Sequence, residues 1–156
     1  MIQITEATKG DLRQISQLFS EYDTEIERYF PKNHLQLQKN LSTEHGDTPK
    51  RRSEILKCIS DKNQHFLVAK ENEIIIGCVL GWVESHNNAG KFDQLILSDK
   101  SKNEEVLKLL YIELEKWFKD QKCPYILVDV ITKNPRKELY GNIGFETVLE
   151  EMRKII

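Results

Sequence analysis

The chain lacks the features that would tie it to a membrane, a polyanion or an oxidising compartment. Its apolar runs are short, as in Tyr125 to Val128, which Asp129 interrupts, and none approaches the ~20 residues needed to cross a bilayer. The opening residues, MIQITEATKGDL, have neither the basic start nor the apolar stretch of a secretory signal. Neither sign of charge is in excess: 23 Lys and Arg stand against 25 Asp and Glu, a net charge of −2. No overall positive field therefore draws the chain onto nucleic acid or an anionic membrane. Cysteine is scarce and odd in number (Cys58, Cys78 and Cys123, with no CxxC), which excludes a disulfide scaffold. Free thiols in a reduced, cytoplasmic setting are the expectation, with Cys58 and Cys78 acting as small hydrophobes.

Several chemistries are missing too. His34, His45, His65 and His86 show no metal-ligand spacing such as HxxxH, so no metal is expected. There is no GxGxxG, Walker-type glycine loop or nucleophile elbow. The cluster Lys50-Arg51-Arg52 is too short, and too poor in aromatic neighbours, for nucleic acid.

What is present suits one domain spanning residues 1–156: 39% of the chain is apolar and 31% charged, enough to bury a single core. Residues 2–6 (IQITE) alternate as a short strand. A helix then starts near Thr8, with Thr8 and Asp11 spaced as a capping pair and Leu12, Ile15, Leu18 and Phe19 on one face. The pattern weakens from Tyr22 to Asp47, which predicts a broken helix and a loop. Thr48-Pro49 starts a helix that ends near Asn63. His65 to Lys70 and Ile74 to Glu84 read as a hairpin about the turn Glu71-Asn72-Glu73, and Phe92 to Leu97 as a further strand.

Ser101 and Glu104 form a capping box for a long helix striped by Val106, Leu110, Leu114, Trp117 and Phe118, which Pro124 stops. Tyr125 to Ile131 is a nearly all-apolar strand, of the kind covered on both faces. The long helix is a crossover that makes its flanking strands parallel. A short helix, Pro135 to Asn142, and a last strand, Phe145 to Ile155, complete the pattern. The expected fold is a mixed α/β (α+β) sheet that turns from antiparallel to parallel halfway along, with ligands bound beyond the strand ends where the topology changes.

The order β-α-α-β-β-β-α-β-α-β resembles the GNAT superfamily of acyl-CoA-dependent N-acyltransferases. Asn134 follows the strand Leu127-Val128-Asp129-Val130 as in the family's strand-then-Asn motif, and Leu139-Tyr140-Gly141-Asn142-Ile143-Gly144-Phe145 is similar to its LYxxxGF signature. Phe66-Leu67-Val68-Ala69 with Ile76-Gly77 resembles its FLVAxxxxxxxG hairpin. The resemblance covers residues 1–150. It implies six to seven strands flanked by about four helices, with an antiparallel N-terminal part and a parallel, splayed C-terminal pair. It also implies transfer of an acetyl group from acetyl-CoA to a primary amine of a small molecule or peptide, with a homodimer in keeping with family habit.

Acyl transfer needs donors for the cofactor diphosphate, a base for the amine, a donor for the oxyanion and an acid for the thiolate. By resemblance, Tyr140 is the acid; its alternative is a tyrosine packed beside Gly144-Phe145. Glu84 or Asp93 is the base, and a backbone N–H around Leu97 serves the oxyanion. The implied cofactor cradle runs along Leu95 and Leu97 and through Lys102, Asn103, Glu104, Glu105, Val106 and Leu107, with Asn134 and Tyr140 beyond it. The acidic run Glu21, Asp23, Glu25 and Glu27 is either a lure for a cationic amine or a solvated face.

One stretch departs from the family pattern. In its (R/Q)xxGx(G/A) loop, Lys102 falls at the Arg/Gln position, and Glu105 and Leu107 fall at the glycines that let backbone approach phosphate. Glu104 and Glu105 satisfy the helix dipole themselves, by roughly 0.3–1 kcal/mol each. A carboxylate about 4 Å from a phosphate charge costs up to ~4 kcal/mol at an effective dielectric near 20, partly offset by Lys100, Lys102 and Lys108. The alternative expectation is therefore a catalytically impaired GNAT-fold binding or regulatory module with weak or no CoA binding.

Overall fold

The computed structural model describes residues 1–29, 46–93, 95–98, 104–130 and 133–149. Strand β1 (Ile2–Glu6) pairs antiparallel with β2 (Gln64–Glu71), and β2 with β3 (Ile74–Val83). The β2–β3 turn is tight because Asn72 and Glu73 both take positive φ (49° and 66°), the paired left-handed residues of a two-residue hairpin loop. Asp11 opens the first helical segment by accepting the Thr8 N–H (2.8 Å) and Thr8 hydroxyl (2.8 Å), and it also meets Lys70 on β2 at 2.7 Å. A 3₁₀ turn (Lys9–Asp11) leads into α1 (Leu12–Ile26), which buries Ile15 and Leu18. Gln14 on α1 clamps the hairpin, accepting the Ile75 N–H (2.9 Å) and donating to the Glu73 carbonyl (3.2 Å).

The helix α1 runs on past Tyr22, where the sequence pattern weakens, and a 3₁₀ turn (Glu27–Tyr29) follows it. The rest of the predicted broken helix and loop lies mostly outside the described residues. Helix α2 (Pro49–Ser60) begins as predicted, with Thr48 Oγ1 accepting the Arg51 N–H at 3.2 Å and Pro49 in the first turn. It stops at Ser60, three residues before the predicted end.

The single strand predicted from Phe92 to Leu97 is two strands, β4 (Gly90–Phe92) and β5 (Ile96–Leu97). Both pair with β3, Phe92 opposite Gly81 and Ile96 opposite Cys78. Four residue steps on this strand thus face three on β3, so one residue is surplus and the ladder breaks at a bulge. Helix α3 (Glu104–Asp120) follows and leads to β6 (Ile126–Val128), which pairs in parallel with β4. Among the described residues the sheet has six strands, in the order β1-β2-β3-β4-β6 with β5 on β3 alone. Beyond Phe92 and Val128 no pairing joins β5 to β6 among the described residues, and the sheet splits there. Strand β6 is shorter than predicted and only half-buried, with Tyr125 before it exposed, so it is not covered on both faces.

Helix α4 (Arg136–Asn142) completes the described elements. Residues 145–149 form no strand, and the rest of the predicted last strand lies outside the described residues. One core layer joins α3 and Tyr140 of α4 to one face of the sheet, through Leu67, Val79, Phe92, Leu95 and Leu110. The other joins α1 and α2 to the opposite face, through Ile15, Leu18, Ile55, Phe66, Val68 and Cys78. Helix α3 lies close to the sheet because Gly81 and Gly90 have no side chain: a Cβ on Gly81 would stand 2.6 Å from Leu114 Cδ1, and one on Gly90 2.7 Å from the Phe118 ring.

Candidate active site

The split beside the bulge gathers groups from four elements. From the bulge itself comes the Leu95 peptide, fully buried. Its N–H donates to the Tyr140 hydroxyl at 3.1 Å, and its carbonyl accepts from Arg136 Nη1. Arg136 and Tyr140 stand four residues apart on α4 and so share one helix face. The Arg136 guanidinium reaches past Leu95 to α1, where its Nη2 lies 3.4 Å from Glu25 Oε2 and its carbon 5.2 Å from the centre of the Tyr22 ring. Tyr22 packs with the α1–α2 layer and Tyr140 with the α3 layer, so one side chain spans both layers at the split.

Tyr140 is almost wholly buried. Its ring meets Phe92 and Phe145 edge-on, at centroid distances of 6.1 and 5.9 Å. The packing role weighed for it therefore holds, and its hydroxyl is still engaged by Leu95 at the split. Burial pushes its phenol up to about 12, against smaller opposing effects of the Leu95 N–H and Arg136. One hydroxyl lone pair is engaged by Leu95, which leaves the hydroxyl proton to point elsewhere.

Asp93 directly follows β4, its N–H bonded to the Leu80 carbonyl at 3.0 Å. The parallel register that sets Phe92 opposite Val128 brings Asp129 beside it. The Asp93 side chain is solvent-accessible. Its pKa is nevertheless raised, first by desolvation from the surrounding protein and then by the Asp129 carboxylate, against the pull of Lys91. Lys91 is held to Asp129 at 2.9 Å. Glu84 meets this cluster only through Lys91, whose charge its carboxylate also favours. It follows the far end of β3, four residues beyond Leu80 or about 13 Å along a strand, where it accepts from Trp82 Nε1 at 3.2 Å.

The remaining predicted site residues divide. Leu97 is buried opposite Gly77. Glu104 and Glu105 are exposed in the first turn of α3, Glu104 paired with Lys108 at 2.9 Å. The side chains of Val106 and Leu107 turn into the core. Leu107, at a position where the family pattern has a small residue, thus fills the interior and does not project over the helix N-terminus. Asn134 is buried and accepts the Arg136 N–H through Oδ1 at 3.0 Å, which caps α4. Lys102 and Asn103 lie outside the described residues.

In the acidic run, Asp23 pairs with Arg51 (2.7 Å) and Glu25 with Arg136, so both carboxylates are engaged by internal cations. Arg136 and Tyr22 were not legible as site residues, since an arginine after proline at a short helix start reads as surface. The three thiols are free, as the cysteine spacing predicts. No helix among the described residues is long and apolar enough to cross a membrane.

A family model described as the acetyltransferase (GNAT) family matches residues 18–145. Among solved structures, a transcriptional regulator from Bacillus halodurans is 17% identical over 100% of both chains, with a TM-score of 0.74. The PaiA N-acetyltransferase of Thermoplasma acidophilum, in complex with coenzyme A, is 19% identical over 97% of this chain and 93% of its own, with a TM-score of 0.74. The structure of AAC(6')-Iy with a CoA-containing bisubstrate analogue is 14% identical over 100% of this chain and 99% of its own, with a TM-score of 0.71. At these identities the likeness is one of fold. No curated protein matches the sequence.

Proposed function

The chain belongs to the GNAT acetyltransferase family, and from that premise we propose that it moves an acetyl group from acetyl-CoA to a primary amine by direct attack. The observation that carries this reading is the Tyr140 hydroxyl held at the Leu95 N–H, where the sheet splits. A bound thioester supplies an activated acyl carbon and a thiolate leaving group. The first-turn amides of α3 are the donors available to its diphosphate. The inward turn of Val106 and Leu107 keeps those side chains off that surface, which fits such a ligand.

Asp93 takes the proton of the incoming ammonium. Its raised pKa makes it a stronger base than an ordinary carboxylate. Tyr140 steadies the departing sulfur as a hydrogen-bond donor. With a phenol near 12 it holds its proton more than about a thousandfold more tightly than a thiol of pKa about 8.5. The ammonium gives up two protons on becoming an amide. Asp93 takes one before attack and passes it to solvent. The second leaves the nitrogen as the tetrahedral intermediate collapses and neutralises the thiolate, and Tyr140 keeps its own.

A second reading, a GNAT-fold binding or regulatory module without catalysis, draws on Glu104 and Glu105 at the N-terminus of α3. Their carboxylates compete with a diphosphate for the same dipole. Thiol release from acetyl-CoA, measured with a panel of polyamine, amino acid, aminoglycoside and peptide N-terminal amines, separates the two. Acetylated product detected by mass for one class supports the transferase. No acceptor-dependent release at millimolar acetyl-CoA supports the module.

A further inference from the structure

Both polar groups of Leu95 are served by α4. The N–H and the carbonyl flank the Leu95 α-carbon, so pinning both fixes the orientation of the residue between them. Tyr140 takes the first and Arg136, one helical turn earlier, the second. The peptide is fully buried inside a bulge, where β3 offers no continuous ladder. A carbonyl left unpaired there would carry the desolvation cost of an orphan acceptor.

We propose that Arg136 is a positioning residue for the transfer: spanning the two layers at the split, it locks the Leu95 peptide so that the Leu95 N–H holds the Tyr140 oxygen and leaves the hydroxyl proton for the reacting sulfur. This rests on the transferase reading for its catalytic consequence, but not for its structural one. Arginine suits the task because a planar fork serves several partners together. One arm takes the Leu95 carbonyl, another faces Glu25, and the flat face lies over Tyr22. The tether to α1 keeps the guanidinium from swinging out with α4. A lysine offers charge without the fork, so it holds the carbonyl or Glu25 but not both in this geometry.

The experiment combines amide hydrogen exchange on the full ¹⁵N-labelled chain with acetyl-CoA hydrolysis in the absence of acceptor. In Arg136→Met, exchange at the Leu95 amide speeds up at least about tenfold while the Leu110 amide of α3 is unchanged, and Tyr140→Phe does the same. Arg136→Lys falls between wild type and Arg136→Met, and decides the matter should Arg136→Met fail to fold. Hydrolysis by Arg136→Met loses about tenfold in kcat with KM for acetyl-CoA unchanged, and Arg136→Lys recovers part of it. Leu95 exchange that does not respond to either Arg136 variant overturns the proposal. So does a loss shared equally by the Leu110 amide. A wild-type protein that releases no thiol with any amine of the acceptor panel overturns the transferase reading, while the exchange pattern still decides whether Arg136 locks Leu95.

Discussion

The hydroxyl of Tyr140 accepts the backbone N–H of Leu95 at 3.1 Å across a separation of 45 residues. That bond ties the last described helix to the bulge that splits the sheet. Tyr140→Phe leaves the Leu95 N–H buried without its acceptor, at a cost of about 1 kcal/mol, read as a lower melting temperature. It also removes the hydroxyl proposed as donor to the sulfur. The expected loss in kcat is about a hundredfold, with KM for acetyl-CoA little changed.

Asp93, the proposed base, is expected to set the acid limb of the rate profile. Its pKa is raised by desolvation and by Asp129, so kcat/KM rises with pH through a value above the usual carboxylate range. Asp129→Asn removes one raising influence and moves that limb to lower pH. Asp93→Asn abolishes the limb and slows transfer by about a hundredfold at neutral pH. A limb that stays in place in Asp129→Asn would argue for another base.

Asp11 stabilises the fold in a pH-dependent way. Although its burial opposes ionisation, hydrogen bonds from Lys70 and Thr8 bring its pKa below 3.8. Its contribution is therefore complete above the unfolded-state pKa near 4 and is lost as pH falls through the lower folded-state value. Asp11→Asn is expected to cost about 2 kcal/mol at pH 7 and nothing extra once both forms are protonated. Urea unfolding at pH 7 and near pH 2 measures the difference.

Gly81 is required by contact and not by backbone angle. A Cβ there would meet Leu114 Cδ1 at 2.6 Å and Phe118 Cζ at 3.0 Å. Gly81→Ala is expected to destabilise by about 1–3 kcal/mol through overpacking. Combining it with Leu114→Ala, which makes room for the methyl group, should cost less than the sum of the two single changes.

Much of this architecture was legible because it is written locally. Thr48-Pro49 announces a helix start, and the structure shows the Thr48 side chain accepting the Arg51 N–H. The alternation on either side of Asn72-Glu73 gives the hairpin, and the apolar stripe of α3 gives the crossover. The bulge was not legible: FDQLIL reads as one strand, and the surplus residue shows only against β3, which is remote in sequence. Tyr140 could be named as a candidate because its motif is local. Its hydrogen-bond partner Leu95 is named from the sequence only as part of a cradle, and the contacts of Arg136 are not legible there because they arise where α1 and the bulge meet at the split. Glu84, credible as a strand-end carboxylate, stands past the end of β3 beside Trp82 and acts on Lys91, a matter of register that its own neighbours do not encode.

The central claim is that the split beside Leu95 and the N-terminus of α3 hold acetyl-CoA although Glu105 and Leu107 replace the family's small residues. Calorimetric titration of the wild-type chain and Glu105→Gly with acetyl-CoA tests it most directly. The account predicts 1:1 binding in the micromolar range, tightened in Glu105→Gly as a carboxylate leaves the neighbourhood of the diphosphate. No heat from either protein at millimolar acetyl-CoA would contradict it.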